Sequence, residues 1–316
     1  VNRCLSIVLL SVFLVAGCES VTEQNGPSEH ESEPTAYIER IEQWREDREE
    51  RLREPYGWLS LAGMEPVDSD RFDIGSGRDN DLVVDRGPEL WGTIVSSDDR
   101  IEFVPGPEFS GTVNGDASGP TELVADGDDG PTNIESNAIR VHLIERASGM
   151  FVRVRDREST PRRNFAGLDW YPVDPEWAIE AEFEEHPEGT VLEIADVTGE
   201  VAERANPGAA VFSVDGAEFR LEAVESAAGD QYWFILADRT SGRETYGLGR
   251  FLYADLPVDG TMTLDFNKAY NPPCAFNEHT TCPLPPPENR LDLRIEAGER
   301  SYPGEGPSGH EAPPES

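Results

Sequence analysis

Beyond Pro55 the chain consists of short alternating or β-branched runs, each bounded by clusters of Gly, Pro, Asp and Asn. Period-two runs of this length suit strands and leave little room for long helices. The segments Arg71–Ile74, Asp81–Val84, Gly92–Val95, Ile101–Val104, Ile139–Ile144 and Met150–Val154 read as strands in the first half. In the second half Ala178–Phe183, Val191–Val197, Ala210–Val214, Glu218–Val224, Tyr232–Ala237, Thr261–Phe266 and Leu291–Glu296 do the same. The pattern predicts a mainly β protein with an antiparallel sandwich or barrel-like architecture. Phe72–Val84 reads as a plain hairpin with a Gly-rich turn. The one helical pattern is Thr35–Arg53, where Tyr37, Ile38, Ile41, Trp44, Arg48 and Leu52 fall on one stripe and Pro55 stops the run. It predicts a single N-terminal amphipathic helix that covers one end of a sheet.

The first residues bear on location. Arg3 gives a basic start, Leu5–Val15 is almost wholly apolar, and Ala16 and Gly17 precede Cys18. This reads as an export signal over residues 1–17, too short to remain as a membrane span. Val15-Ala16-Gly17-Cys18 is similar to the lipoprotein box of bacterial lipoproteins, which implies acylation of Cys18 and a lipid anchor in the cell envelope. Residues 18–34 follow as an acidic linker with too few apolar side chains to fold. The expected organisation continues with a helix plus β region over 35–165, a second β region over 166–300, and a disordered tail over 301–316. With 63 acidic against 26 basic residues the net charge is -37, a field that repels nucleic acid and anionic lipid surfaces. The expected partners are therefore a membrane, through the anchor alone, and a small molecule.

The stretch Leu264–Asn289 concentrates the only lysine, Lys268, and the only two cysteines beyond residue 18, Cys274 and Cys282. In an exported protein the two cysteines are expected to form a disulfide. Zinc held with His279 is the alternative, and it lacks an obvious fourth ligand. If Leu264 and Phe266 point inward, Asp265 and Asn267 share the opposite face. Tyr270, Asn271, His279, Glu288 and Asn289 complete the polar set of the stretch. Upstream, Arg153, Arg155 and Arg157 alternate with Val152, Val154 and Asp156, and Arg162 and Arg163 follow. Such a cluster is either neutralised by carboxylates or awaits an anionic ligand. The Walker loop, the Gly-x-Ser-x-Gly elbow, the His-Glu-x-x-His helix and the dinucleotide fingerprint are all missing, so no cofactor is expected.

Four motifs carry a family resemblance: GWLSLAG (Gly57–Gly63), RDRESTPRRNFAG (Arg155–Gly167), YGLGRFLYADLP (Tyr246–Pro257), and LDFNKAYNPPCAF with CPLPPPENRL (Leu264–Phe276 and Cys282–Leu291). Over Trp44–Glu299 the chain resembles the family termed domain of unknown function 1684. The resemblance implies boundaries and motif residues and no reaction. Two readings compete. In one, an envelope lipoprotein binds a small ligand or serves a structural role through residues 264–289. In the other, a hydrolase acts on a small anionic envelope or nutrient molecule, with Asp265, His279 or Glu288 as acid/base groups. The motifs together predict a cluster of Arg155, Arg250, Asp265 and Glu288, with Tyr246 and Tyr270 at its edge and Arg163 nearby.

Overall fold

The computed structural model describes residues 33–303 other than 98–99, 118, 128–129 and 147. The expected signal segment, Cys18, most of the expected acidic linker and residues 304–316 lie outside the described residues. The chain opens with the helix Glu33–Arg53, and Ile41, Arg48 and Leu52 from its apolar stripe are buried. Arg53 and Glu49 pair at 2.8 Å one turn apart, and Glu49 also accepts from the Leu168 N–H at 3.0 Å. Among the described residues no helix is long and apolar enough to cross a membrane.

Strands up to Asp156 build two sheets. One has the order Leu61–Pro66, Gly149–Asp156, Ile139–Arg146, Ile134–Ser136, Thr112–Val113 and Asp116–Ala117. The other has the order Leu82–Val83, Arg71–Gly75, Gly92–Ser97, Arg100–Pro105 and Thr121–Glu122. Phe72, Ile74, Ile94 and Phe103 of the second sheet share one core with Val141, Leu143, Val152 and Val154 of the first. The pleat decides which side chains meet: with Val152 and Val154 inward, Arg153 and Arg155 point away from the sandwich interior.

The later strands build a four-stranded sheet in the order Ala217–Glu222, Gly208–Val214, Ala178–Glu185 and Thr261–Asp265. Beside it lie a three-stranded sheet of Val224–Glu225, Gln231–Leu236 and Arg250–Asp255, and the hairpin of Val191–Ala195 with Val201–Ala205. Phe183, Phe212, Phe234, Leu252, Leu264 and Phe266 are central to its core. Burying each such side chain stabilises the fold by about 2 kcal/mol. The architecture is mainly β and, with one exception, its strand ladders are antiparallel; no sheet closes into a barrel among the described residues.

Three local expectations change. The exception just noted is Arg71–Gly75 against Leu82–Val83, which pair in parallel through Ile74↔Leu82 and Gly75↔Val83, so Phe72–Val84 is not a hairpin. The intervening loop is held instead by Asn80, whose side-chain amide donates to the Gly77 and Glu89 carbonyls at 2.8 and 2.7 Å.

The second change concerns Leu291–Glu296, which alternates buried and exposed residues yet forms no strand ladder. Its backbone is held by both main chain and buried side chains: the Leu291 N–H donates to the Ala237 carbonyl and the Leu293 carbonyl accepts from the Arg239 N–H, each at 2.8 Å. The carboxylate of Asp238 accepts from the Ile295 N–H at 2.7 Å, and the Arg250 guanidinium donates to the Ile295 carbonyl at 3.1 Å.

Arg250–Asp255 is a strand the alternation did not reveal, because a buried arginine opens it. Gly249 before it has φ +95°, and a Cβ there would sit 2.5 Å from both the Leu236 carbonyl and Pro285, so only glycine fits.

Candidate functional site

The outward face of the strand Gly149–Asp156 is covered by the C-terminal half, and the two enclose a crevice of about 230 Å³. Its floor is Arg146, Arg153 and Arg155; its far wall includes Trp233, Phe251 and the segment Thr280–Pro283. Arg146 is neutralised by Asp126 at 2.9 Å. Arg155 donates to the backbone carbonyls of Tyr56 and Gly57 at 2.6 and 3.1 Å. Among the described residues the hydrogen-bond partner of the Arg153 side chain is the Met64 sulfur at 3.7 Å. Among the described residues neither Arg153 nor Arg155 forms an ion pair. Two N–H donors in the crevice are buried without an acceptor, the Nε of Arg153 and the Nε1 of Trp233.

Electrostatics mark the same place. Burial, reinforced by Arg146 and Arg155, pushes the Arg153 guanidinium down to about 10, and burial followed by Arg140 lowers Arg155. His142 lies opposite Arg153 on the neighbouring strand. Burial, then Arg155 and Arg153, takes it down to about 3, so its ring is neutral at physiological pH. Its Nδ1 is buried and unpaired. In a chain with 63 acidic residues, two guanidiniums left without a carboxylate favour an anion delivered from outside.

A second cleft, of about 760 Å³, adjoins the crevice: Trp58, Tyr253 and Tyr270 line both. Tyr253 stacks on Tyr270 at 6.3 Å and on Trp233 at 6.0 Å. The wall is held in place by Arg48 of the helix, whose guanidinium sits 4.7 Å from both the Trp58 and Tyr270 ring centres. Arg48 also pairs with the fully buried Glu299 at 2.9 Å and donates to the Asn271 carbonyl at 3.1 Å. The helix is thereby fastened to the C-terminal half.

The expected cluster does not form. Arg155 lines the crevice, whereas Arg250 is fully buried against Asp238 at 3.3 Å and the carbonyls of Ile295, Ala297 and Glu299. Asp265 and Asn267 do meet, at 3.3 Å, and both bond the Tyr37 hydroxyl. The strand ends at Asp265, and the 3₁₀ turn Phe266–Lys268 returns Lys268 to within 3.6 Å of Asp265 instead of sending it to the other face.

The remaining candidates divide between buried fasteners and exposed positions. Asn289 copies a backbone ladder, accepting from the Glu222 N–H at 2.7 Å and donating to its carbonyl at 2.9 Å. Asn271 donates its backbone N–H to Glu299 and its side-chain amide to the Arg300 carbonyl. Tyr246 packs beside Phe276 with its hydroxyl buried and unpaired. Glu288 and Arg163 are exposed, and His279 is half-buried with its backbone on Asn277. The three acid/base candidates therefore do not converge.

Cys274 and Cys282 form a disulfide with Cα atoms 6.1 Å apart, and the loop they close is tied to Trp58 by Asn277 at 3.0 Å. Tyr302, assigned to the tail, packs 4.9 Å from Phe276. Sequence reasoning missed Glu299, Asp238 and Trp233. A charged residue inside an apolar stripe, as with Arg48, was the available signal for the buried Arg48–Glu299 pair.

Fold and site together define a β protein whose earlier and later strands face each other across an arginine-floored crevice beside a wider aromatic cleft. Residues 163–300 match the family described as Protein of unknown function (DUF1684). The match begins after the Gly57–Gly63 motif and contains those at Tyr246–Pro257 and Leu264–Leu291 whole. The chain is also similar to an uncharacterized protein of Haloarcula marismortui with a solution NMR structure, at 31% identity over 44% of this chain and 78% of that one, with a TM-score of 0.37. None of the curated proteins matches.

Proposed function

We propose that this protein binds a small anion in the crevice over Arg153 and Arg155, and that it does so as a lipoprotein tethered to the cell envelope through Cys18. The observation that carries the binding reading is the convergence of two carboxylate-free guanidiniums with two buried, unpaired N–H donors in one crevice. An unmet buried donor is unfavourable by about 1–3 kcal/mol, and an anion over Arg153 and Arg155 would neutralise the two guanidiniums. Thr281 adds a hydroxyl at the rim, while the buried Thr280 hydroxyl donates to the Cys274 sulfur at 2.7 Å. The disulfide and the neighbouring prolines hold that rim in place, which reduces the ordering needed on binding. The tether rests on the four residues ending at Cys18 and on the apolar run before them.

Titration calorimetry with acetate, phosphate and sulfate, with Trp233 fluorescence as a second readout, tests the site. Saturable binding that is weakened at least tenfold by Arg153→Gln supports it. No saturable binding by any of the three, or binding untouched by Arg153→Gln, overturns it. For the tether, Cys18→Ala should move the protein from the membrane fraction to the soluble one, and an unchanged distribution refutes it.

A further inference from the structure

The wider cleft has its own chemistry, and the crevice alone does not use it. Trp58, Tyr253 and Tyr270 stand between the two spaces, and Tyr253 is 38% exposed. Around the wider cleft lie groups of both signs and neutral polar groups: Gln231, Asp255, Thr263, Asp265 and Lys268. Several retain bonding capacity. Gln231 donates to one oxygen of Asp255 at 2.9 Å, and Lys268 stands at a loose 3.6 Å from Asp265.

An apolar ligand body would strip water from these groups and return nothing. A second anionic group would meet Asp255 and Asp265, and a cationic one would meet Lys268. A hydroxyl both donates and accepts, so a body bearing several hydroxyls pairs with carboxylate, amide and ammonium alike. The C–H faces of a sugar ring suit an aromatic wall, since such rings combine apolar area with polar edges. Size agrees: about 230 Å³ holds an anionic group and few further atoms, whereas about 760 Å³ beside it receives a ring.

Resting on the anion site above, we infer that the ligand is a monosaccharide bearing a carboxylate or phosphate. Its anionic group lies over Arg153 and Arg155, and its hydroxylated ring lies against Tyr253 and Gln231–Asp255. Calorimetry with matched pairs tests this: glucuronate against acetate, and glucose 6-phosphate against phosphate. The sugar-bearing member of at least one pair should bind ten times more tightly or better, and which pair shows the gap tells carboxylate from phosphate. The double variant Gln231→Ala/Asp255→Asn should narrow that gap to under twofold. Acetate and phosphate that bind while neither sugar adds affinity overturn the inference and leave the anion site standing. Failure of all four probes and of sulfate removes the anion site itself. A gap that persists in the double variant, or glutamate binding more tightly than glucuronate, overturns the sugar assignment.

Discussion

Arg48→Met removes the charge that fastens the N-terminal helix to the C-terminal half while keeping an unbranched apolar stem between Trp58 and Tyr270. Its partner Glu299 is fully buried, and the variant leaves that carboxylate with the Asn271 N–H at 2.9 Å as its remaining side-chain contact. Breaking a buried pair by deleting one member costs about 3–5 kcal/mol, and the lost cation–π contacts with the two rings lie within that range. At about 2–4 °C per kcal/mol for a unit of this size, the melting temperature should fall by about 6–20 °C.

The pH dependence has a definite sign. Burial already holds the Glu299 carboxyl above the usual range, against the opposing pull of Arg48 and the Asn271 N–H. Without Arg48 it rises further, so the folded variant takes up a proton at a pH where the unfolded chain does not. The deficit should be greatest near pH 7 and shrink as the pH falls toward 5. Arg48→Met/Glu299→Gln, with no buried charge left over, should recover part of the loss. Denaturant melts at pH 7 and pH 5 supply the numbers. A deficit below about 1 kcal/mol, or one that does not change with pH, refutes the assignment of Arg48 and Glu299 as a buried pair.

Arg250→Met should destabilise by about 3–5 kcal/mol and loosen residues 291–299, because Asp238, its side chain at 0% exposure, loses its ion-pair partner; hydrogen exchange along that segment checks it. Tyr246→Phe removes a buried hydroxyl that has no partner, and burial already pushes that phenol up to about 12, so stability should hold or rise by up to about 1 kcal/mol in a urea melt. Cys274→Ala/Cys282→Ala opens a loop with a sequence separation of 8 and should lose about 2.5 kcal/mol by the same assay. His142, lowered to about 3 when folded, should show no imidazole titration by NMR between pH 5 and 8. Since the unfolded chain binds its proton first, the stability His142 confers is present above about 6.5 and lost as pH falls toward 3, and His142→Gln should flatten that limb.

The sequence alone determined the elements whose cause is local. Alternation placed most of the strands, and the stripe from Tyr37 to Leu52 located the helix, because one-sided burial leaves a period that neighbouring residues share. The inward Leu264 followed from the same pleat, whereas Phe266 and Asn267, both buried, are placed by the 3₁₀ turn that ends the strand. The cysteine pair was legible from composition and spacing. The partners of the charges were not legible. Arg250 finds Asp238 and not Asp265, Arg48 finds Glu299 across 251 positions, and Arg153 pairs with no carboxylate among the described residues. Burial pattern carries information about which face is dry, whereas an ion pair depends on which strands happen to be neighbours, and strand order lies in no local period. The crevice is a product of that tertiary choice: Arg153 and Arg155 were visible as one face of a strand, but only the docking of Trp233 and Thr280–Pro283 against them made that face a site.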